Sequence, residues 1–205
     1  MARTRIKICG IRDDDALLAA AEAGVDAVGF VFDPASPRYV DPDTAFALMS
    51  VLPPFMASVA VVNNPDVDSF VEIEETCPTT LIQLHGTDNE KIAKALGPDL
   101  FKVVPLELAT IAADLERWER SEDVLAIFIE AKGSLVDWDA LARHTDHVSK
   151  SLILGGELSI ASVGEAIRAI RPYAVDASSC VESSPGAIDA ARIEEFCAAV
   201  RAADA

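Results

Sequence analysis

The chain has 205 residues, with 34 acidic side chains against 17 Lys plus Arg and a formal net charge of -17. No two Lys or Arg residues are adjacent, so the clustered positive charge that grips a phosphate backbone is missing and no nucleic-acid partner is expected. At 51% hydrophobic and 25% charged residues the chain carries enough apolar material for a full core, which excludes disorder throughout and points to one compact domain, or at most two small ones. Along the chain, short β-branched runs alternate with longer segments rich in Ala, Leu, Glu and Asp. Strands are predicted over 5–9, 27–32, 58–62, 80–84, 101–105, 124–129, 151–154 and 173–177. Each is followed by a predicted helix, over 14–23, 42–52, 65–76, 88–96, 109–120, 137–143, 160–170 and 190–203.

Local signals agree with this reading. Asp41-Pro42 and Asn64-Pro65 each place a capping side chain before a proline at the first helical position. Gly24 and Gly97-Pro98 are stops. The strands read as continuous apolar runs, as strands buried on both faces must. Eight βα units predict an α/β fold, a single (β/α)₈ TIM barrel spanning 1–205, although that length is near the lower limit for the fold. The runner-up, an open doubly wound sheet, lacks its Gly-rich fingerprint after the first strand.

No apolar run approaches the ~20 residues that span a bilayer, so no membrane partner is expected. Met1 to Arg5 lead straight into a strand-like run without a cleavage region, and a cytoplasmic location follows by default. Cys9, Cys77, Cys180 and Cys197 are scattered without a CxxC pair, so neither disulfides nor a metal site are expected. The apolar segment Leu52-Pro53-Pro54-Phe55-Met56 reads either as a dimer contact or as packing at the barrel bottom, which leaves monomer and homodimer both open.

A barrel places its chemistry where strands end and βα loops begin. Cys9 ends the first strand and reads either as a buried space-filler or as a general base, a thiolate with its pKa lowered by nearby positive charge or amide dipoles. Lys7 shares its face but lies deeper, where its charge needs a partner, and is not expected to help. His85 ends the fourth strand, as a packing residue or a site residue. Glu130 ends the sixth, pointing either into the mouth or outward. A buried Glu without a partner is costly, so it implies function or an ion pair with Lys102 or Lys132. With Cys9 it would supply an acid and a base, the minimum for a proton-shifting isomerase. The backbone at Gly155, Gly156 and Ser178, Ser179, near helix starts, offers a phosphate cradle. Arg38, after the second strand, offers a bidentate carboxylate clamp or is an ordinary surface arginine.

Four segments carry a family resemblance: K-I-C-G at 7–10, G-F-V-F with S-P-R-Y-V within 29–40, Q-L-H-G at 83–86, and V-D-A-S-S followed by V-E-S-S-P-G within 175–186. In this order and spacing, from Ile6 to Val200, the chain resembles phosphoribosylanthranilate isomerase of tryptophan biosynthesis. The resemblance implies a cofactor-free barrel acting on a phosphorylated small molecule, in an Amadori rearrangement of N-(5-phosphoribosyl)anthranilate. It implies Cys9 as base, Arg38 on the anthranilate carboxylate, and Asp176 and His85 in the substrate site.

The last third departs from the family pattern. Glu130 stands where the family has an aspartate acid, the loop from Ala131 to Val136 is short, and Glu157 follows the glycine pair where it would repel phosphate. Cys180 replaces a glycine and Ile188 a lysine. These departures define the alternative expectation, a barrel of the same family that has lost phosphate binding and is impaired or silent.

Overall fold

The computed structural model describes residues 3–86, 89–133 and 136–204. Eight parallel strands close into a barrel in chain order: β1 Arg5–Cys9, β2 Ala27–Val31, β3 Ala57–Asn63, β4 Leu81–His85, β5 Leu100–Pro105, β6 Val124–Ala131, β7 Ser151–Gly156 and β8 Ala174–Ala177. The helices are α1 Asp14–Glu22, α2 Pro42–Met49, α3 Val67–Thr76, α4 Glu90–Leu96, α5 Ile111–Glu119, α6 Trp138–Thr145, α7 Val163–Ile170 and α8 Ala190–Asp204. The predicted (β/α)₈ barrel is the fold that forms. Asp88, the predicted start of the fourth helix, lies outside the described residues, as do Met1, Ala2, Ser134 and Leu135.

The continuous apolar strands have their reason in two cores. Alternate residues such as Val59, Val61, Phe101, Val103, Phe128 and Ile153 fill the barrel interior. Their neighbours, among them Ile6, Ile8, Leu84, Ile127 and Ile129, face the helices and pack with Trp118 and Phe196. Each such side chain removed from water contributes roughly 1.5–3 kcal/mol. The acid surplus lies outside: Asp13, Asp14, Asp15, Glu72, Glu74 and Glu75 are all exposed.

Helix starts follow the local chemistry with one change. Asp13, Asp41 and Asp137 cap α1, α2 and α6, with Pro42 in the first turn of α2. For α3 the cap is Asp66, whose carboxylate accepts from the Ser69 amide at 2.9 Å. Asn64 has φ 45, in the left-handed region, whereas an N-cap is extended, so the chain turns at Asn64 and starts the helix later. Beyond β8 the chain makes a 3₁₀ turn over Ser179–Val181 and a small hairpin, β9 Glu182–Ser184 with β10 Ala187–Ile188. These pieces are too short for a periodic signal.

At the N-terminal end of the barrel Phe55 is fully exposed. It borders a cavity of about 380 Å³ whose walls include Val59, Leu81, Phe101, Leu125 and Tyr173. Phe55 is therefore not barrel-bottom packing, while Leu52 and Met56 do pack against the core.

Candidate active site

The C-terminal ends of the strands surround an open cleft of about 220 Å³ lined by Cys9, Arg38, His85, Glu130, Gly156, Asp176 and Ser178. Seven of the nine predicted site residues thus meet in one place. Gly155 lies behind this surface, because a Cβ there would stand 2.1 Å from Cζ of Phe128 and 3.1 Å from Cβ of Asp176. Ser179 is exposed at the start of the 3₁₀ turn and does not line the cleft.

Cys9 points inward at the end of β1 and is 6% exposed. Contrary to the sequence expectation, its thiol is not shifted toward ionisation in the free protein. Burial pushes the thiol up, the Asp176 charge adds to this, and Lys7 and Arg38 pull it only part of the way back. Lys7 also departs from expectation. It is a layer deeper, paired in register with Asp176, and its Nζ sits 2.6 Å from Asp176 Oδ1. Two residues along a strand climb about 6.6 Å, and the lysine stem spans that rise. Burial opposes the Lys7 charge, but Asp176 and Cys9 outweigh it, so Lys7 stays an ammonium; burial conversely pushes the Asp176 carboxyl above its usual range despite Lys7.

Glu130 faces the mouth. Within β6, Ala126 and Phe128 belong to the interior core and Glu130 continues their face. Its Oε1 is 2.9 Å from His85 Nε2 and its Oε2 3.3 Å from Lys132 Nζ. Of the two expected ion-pair partners Lys132 is thus confirmed. Lys102 instead lies buried behind the barrel wall, donating to the Val103 carbonyl at 2.5 Å and standing 5.4 Å from the centre of the Trp118 ring. The hydrogen bond with His85 holds the Glu130 carboxyl below its ordinary value of 4.5 in spite of partial burial. A depressed carboxyl adds stability that is fully present above its unfolded pKa and is lost as pH falls through the folded one. Urea unfolding should therefore show Glu130→Gln less stable than the native chain at pH values above the ordinary carboxyl value of 4.5, with the margin shrinking as pH falls below it.

Arg38 is no ordinary surface arginine. Its guanidinium makes two bonds to Glu182, Nε to Oε1 at 2.7 Å and Nη2 to Oε2 at 2.8 Å. Glu182 is buried on β9 and also accepts from the Gly186 amide at 3.1 Å. Gly10 makes the approach possible: it has φ +94, and a Cβ there would stand 2.9 Å from Cδ of Arg38.

Sequence reasoning did not assign roles to Lys7, Glu182 or Gln83. Gln83 lines the cleft, and its buried Oε1 has no hydrogen-bond partner among the described residues. The signal for Glu182 was present in V-E-S-S-P-G, but only the hairpin shows what it binds.

The cleft combines a thiol, a carboxyl–imidazole pair, a forked cation and a glycine–serine edge, the set needed to hold a doubly anionic molecule while moving protons. The family profile "N-(5'phosphoribosyl)anthranilate (PRA) isomerase" matches residues 6–199. The chain belongs to this family.

Curated phosphoribosylanthranilate isomerases agree over their full length. That of Pseudomonas putida (strain GB-1) is 38% identical, with 99% of this chain and 100% of the relative covered. That of Herminiimonas arsenicoxydans is 36% identical, over 99% and 95%. The crystal structure of phosphoribosyl anthranilate isomerase from Thermotoga maritima superposes with a TM-score of 0.87 at 31% identity, covering 97% of this chain and 99% of that one. A second solved isomerase, at TM-score 0.84, 32% identity and the same coverage, is in complex with reduced 1-(o-carboxyphenylamino)-1-deoxyribulose 5-phosphate. A third, at TM-score 0.84, 30% identity and again the same coverage, shows monomers generated from the dimeric Thermotoga maritima isomerase.

Two departures from the isomerase pattern change meaning in three dimensions. Glu157 is exposed and turns away to the loop after β6, its Oε2 accepting from the Gly133 amide at 2.9 Å. It does not occupy the glycine position expected to meet phosphate. Gly156 holds that position, with φ +88 and no room for a Cβ, which would stand 2.3 Å from the Ala131 carbonyl oxygen. Cys180 imposes no backbone strain, since Asn64 and Arg171 are the non-glycine residues with positive φ among those described. Burial pushes the Cys180 thiol up to about 11, so it is a neutral neighbour of the cleft at pH 7. The short loop from Ala131 to Val136 passes through Ser134 and Leu135, outside the described residues.

Proposed function

We propose that this chain catalyses the Amadori rearrangement of N-(5'-phosphoribosyl)anthranilate to 1-(2-carboxyphenylamino)-1-deoxyribulose 5-phosphate, with Cys9 and Glu130 as the proton-moving pair. The observation that carries the reading is that both residues face one cleft across which Arg38 and the Gly156–Ser178 edge can hold the two anionic ends of the substrate. Protonation of the furanose ring oxygen by Glu130 opens the C1–O bond to a Schiff base. Cys9 then removes the C2 proton to give an enolamine, and a proton gained at C1 with loss of the C2 hydroxyl proton yields the ketone. Atoms and electrons balance within the substrate, so no cofactor is called for.

Glu130 is ionised in the free protein, and a general acid must carry a proton. The substrate's carboxylate and phosphate bring negative charge into the cleft, which favours the protonated carboxyl. His85 at 2.9 Å is placed to pass a proton to it and to hold the opened sugar. Asp176 lines the cleft beside Cys9. Phosphate takes the amides around Gly156 and Ser178, with Gly155 and Ser179 shaping that edge rather than presenting side chains. The impaired-barrel alternative loses a main support, because Glu157 is tied to Gly133.

The test is turnover of the fluorescent substrate by the intact chain. Steady conversion supports the reading, and its absence in a folded protein overturns it. Within this reading Glu182 orients Arg38, so Glu182→Gln should raise KM roughly tenfold with kcat little changed, the signature of binding lost equally in ground and transition states.

The same reading includes a homodimer formed through the N-terminal end of the barrel. Fully exposed Phe55 beside an apolar cavity of about 380 Å³ supports it, as does the dimeric Thermotoga maritima relative. No described helix is long and apolar enough to cross a membrane. The cytoplasm, where sugar-phosphate intermediates are made, is its proposed location. Sedimentation velocity should show a dimer for the native chain and a monomer for Phe55→Glu; a monomeric native chain would overturn this part.

A further inference from the structure

Lys7 is a buried cation to which the reaction as written gives no task. A lysine ammonium inside a barrel is costly to desolvate. Its position is specific. The point where a Cβ of Gly29 would stand is 2.9 Å from Lys7 Nζ and 3.0 Å from Cys9 Sγ. Gly29 is the register partner of Cys9 on β2 and leaves open the space that both groups border. Nitrogen and sulfur are therefore at most about 6 Å apart, within the range over which an opposite charge favours ionisation. On its other side the ammonium is held 2.6 Å from Asp176 across the β1–β8 seam, which fixes where Nζ points.

We propose that Lys7, pinned by Asp176 and reaching through the gap left by Gly29, is a positioning residue that favours the ionised form of the Cys9 sulfur against the burial that opposes it. This inference rests on the isomerase reading of the cleft. The charged groups facing Cys9 are Lys7 on its own strand, Asp176 on β8, and Asp33 and Arg38 on the loop after β2, with His85 and Glu130 across the mouth. Arg38 is bound to Glu182 and, in the proposed complex, also to the substrate carboxylate, so its positive charge is compensated. Lys7 is then the cation beside the sulfur. Its pull on the thiol exceeds the opposing push of Asp176.

The test measures iodoacetamide labelling of Cys9 in the intact chain against pH, by mass spectrometry of the peptide that contains it. The midpoint of labelling reads thiol ionisation and needs no substrate. Lys7→Met should raise this midpoint by about 1–3 pH units. The double variant Lys7→Met/Asp176→Asn leaves no unpaired buried charge and covers the case in which the single variant does not fold; it should move the midpoint the same way by less. In 8 M urea, roughly the concentration that unfolds most small domains, all midpoints should coincide. For the active enzyme the acid limb of kcat/KM should move upward with the labelling midpoint. An unchanged midpoint in a folded variant overturns the proposal and leaves the isomerase reading standing. A shifted midpoint in a chain without turnover does the reverse.

Discussion

Cys9→Ala should lower kcat by about 10²- to 10⁴-fold, the range that a positioned general base contributes. The substitution removes the thiol from a position already 6% exposed and leaves a small residue that keeps the Lys7–Asp176 pair intact, so the barrel should stay folded. KM should change little, because the anion contacts at Arg38 and at the Gly156–Ser178 edge remain. The pairing of lost turnover with retained binding separates base from packing residue: a space-filling Cys9 would cost stability and little rate. Stopped turnover with an unchanged unfolding midpoint is the expected record, and near-native kcat in Cys9→Ala would remove Cys9 from the mechanism. The thiol is pushed upward by burial in the free protein, so the acid limb of the rate profile should lie above neutrality unless substrate binding assists.

The second large effect concerns stability. Lys7→Met should destabilise the fold by about 3–5 kcal/mol, because it leaves the Asp176 carboxylate buried at 3% exposure without its partner. Adding Asp176→Asn should recover most of that loss, since two neutral side chains of similar volume replace a pair whose desolvation nearly cancels its attraction. Urea denaturation of the native chain and the three variants forms a double-mutant cycle with a strongly positive coupling. If the single variants are as stable as the native chain, the ion pair contributes little and the charge of Lys7 needs another explanation. A stable but inactive double variant would show a buried pair retained for chemistry rather than for stability.

Much of the fold was legible because its signals are local. A βα unit is recognised from an apolar run followed by a helical segment, helped at several units by a capping Asp or a stopping Gly, and the barrel has eight such units. Boundaries moved by a few residues where a single torsion decided them, as at Asn64. The candidate site was legible for a related reason: a barrel collects its strand ends on one face, so a residue's place in its own strand locates it in the cleft. Cys9, His85 and Glu130 were found in this way, and Asp176 through the family resemblance.

What could not be read was which charges meet. Lys7 and Asp176 lie 169 positions apart and touch because β1 and β8 close the ring, and Arg38 finds Glu182 144 positions away on a hairpin too short to predict. Alternation placed Lys7 below Cys9 but could not show how far its stem climbs, and so missed that its ammonium reaches the sulfur's level. Glu157 was read from its neighbours as an intruder in the phosphate site, whereas the turn at Gly156 directs it to Gly133. The sequence by itself determined the barrel, its acidic outer surface and the residue types at the cleft, since periodicity and capping act over a few residues. Only the tertiary structure decided how those groups are paired and which are charged, because desolvation and Coulomb attraction depend on distances set by the closure of the barrel.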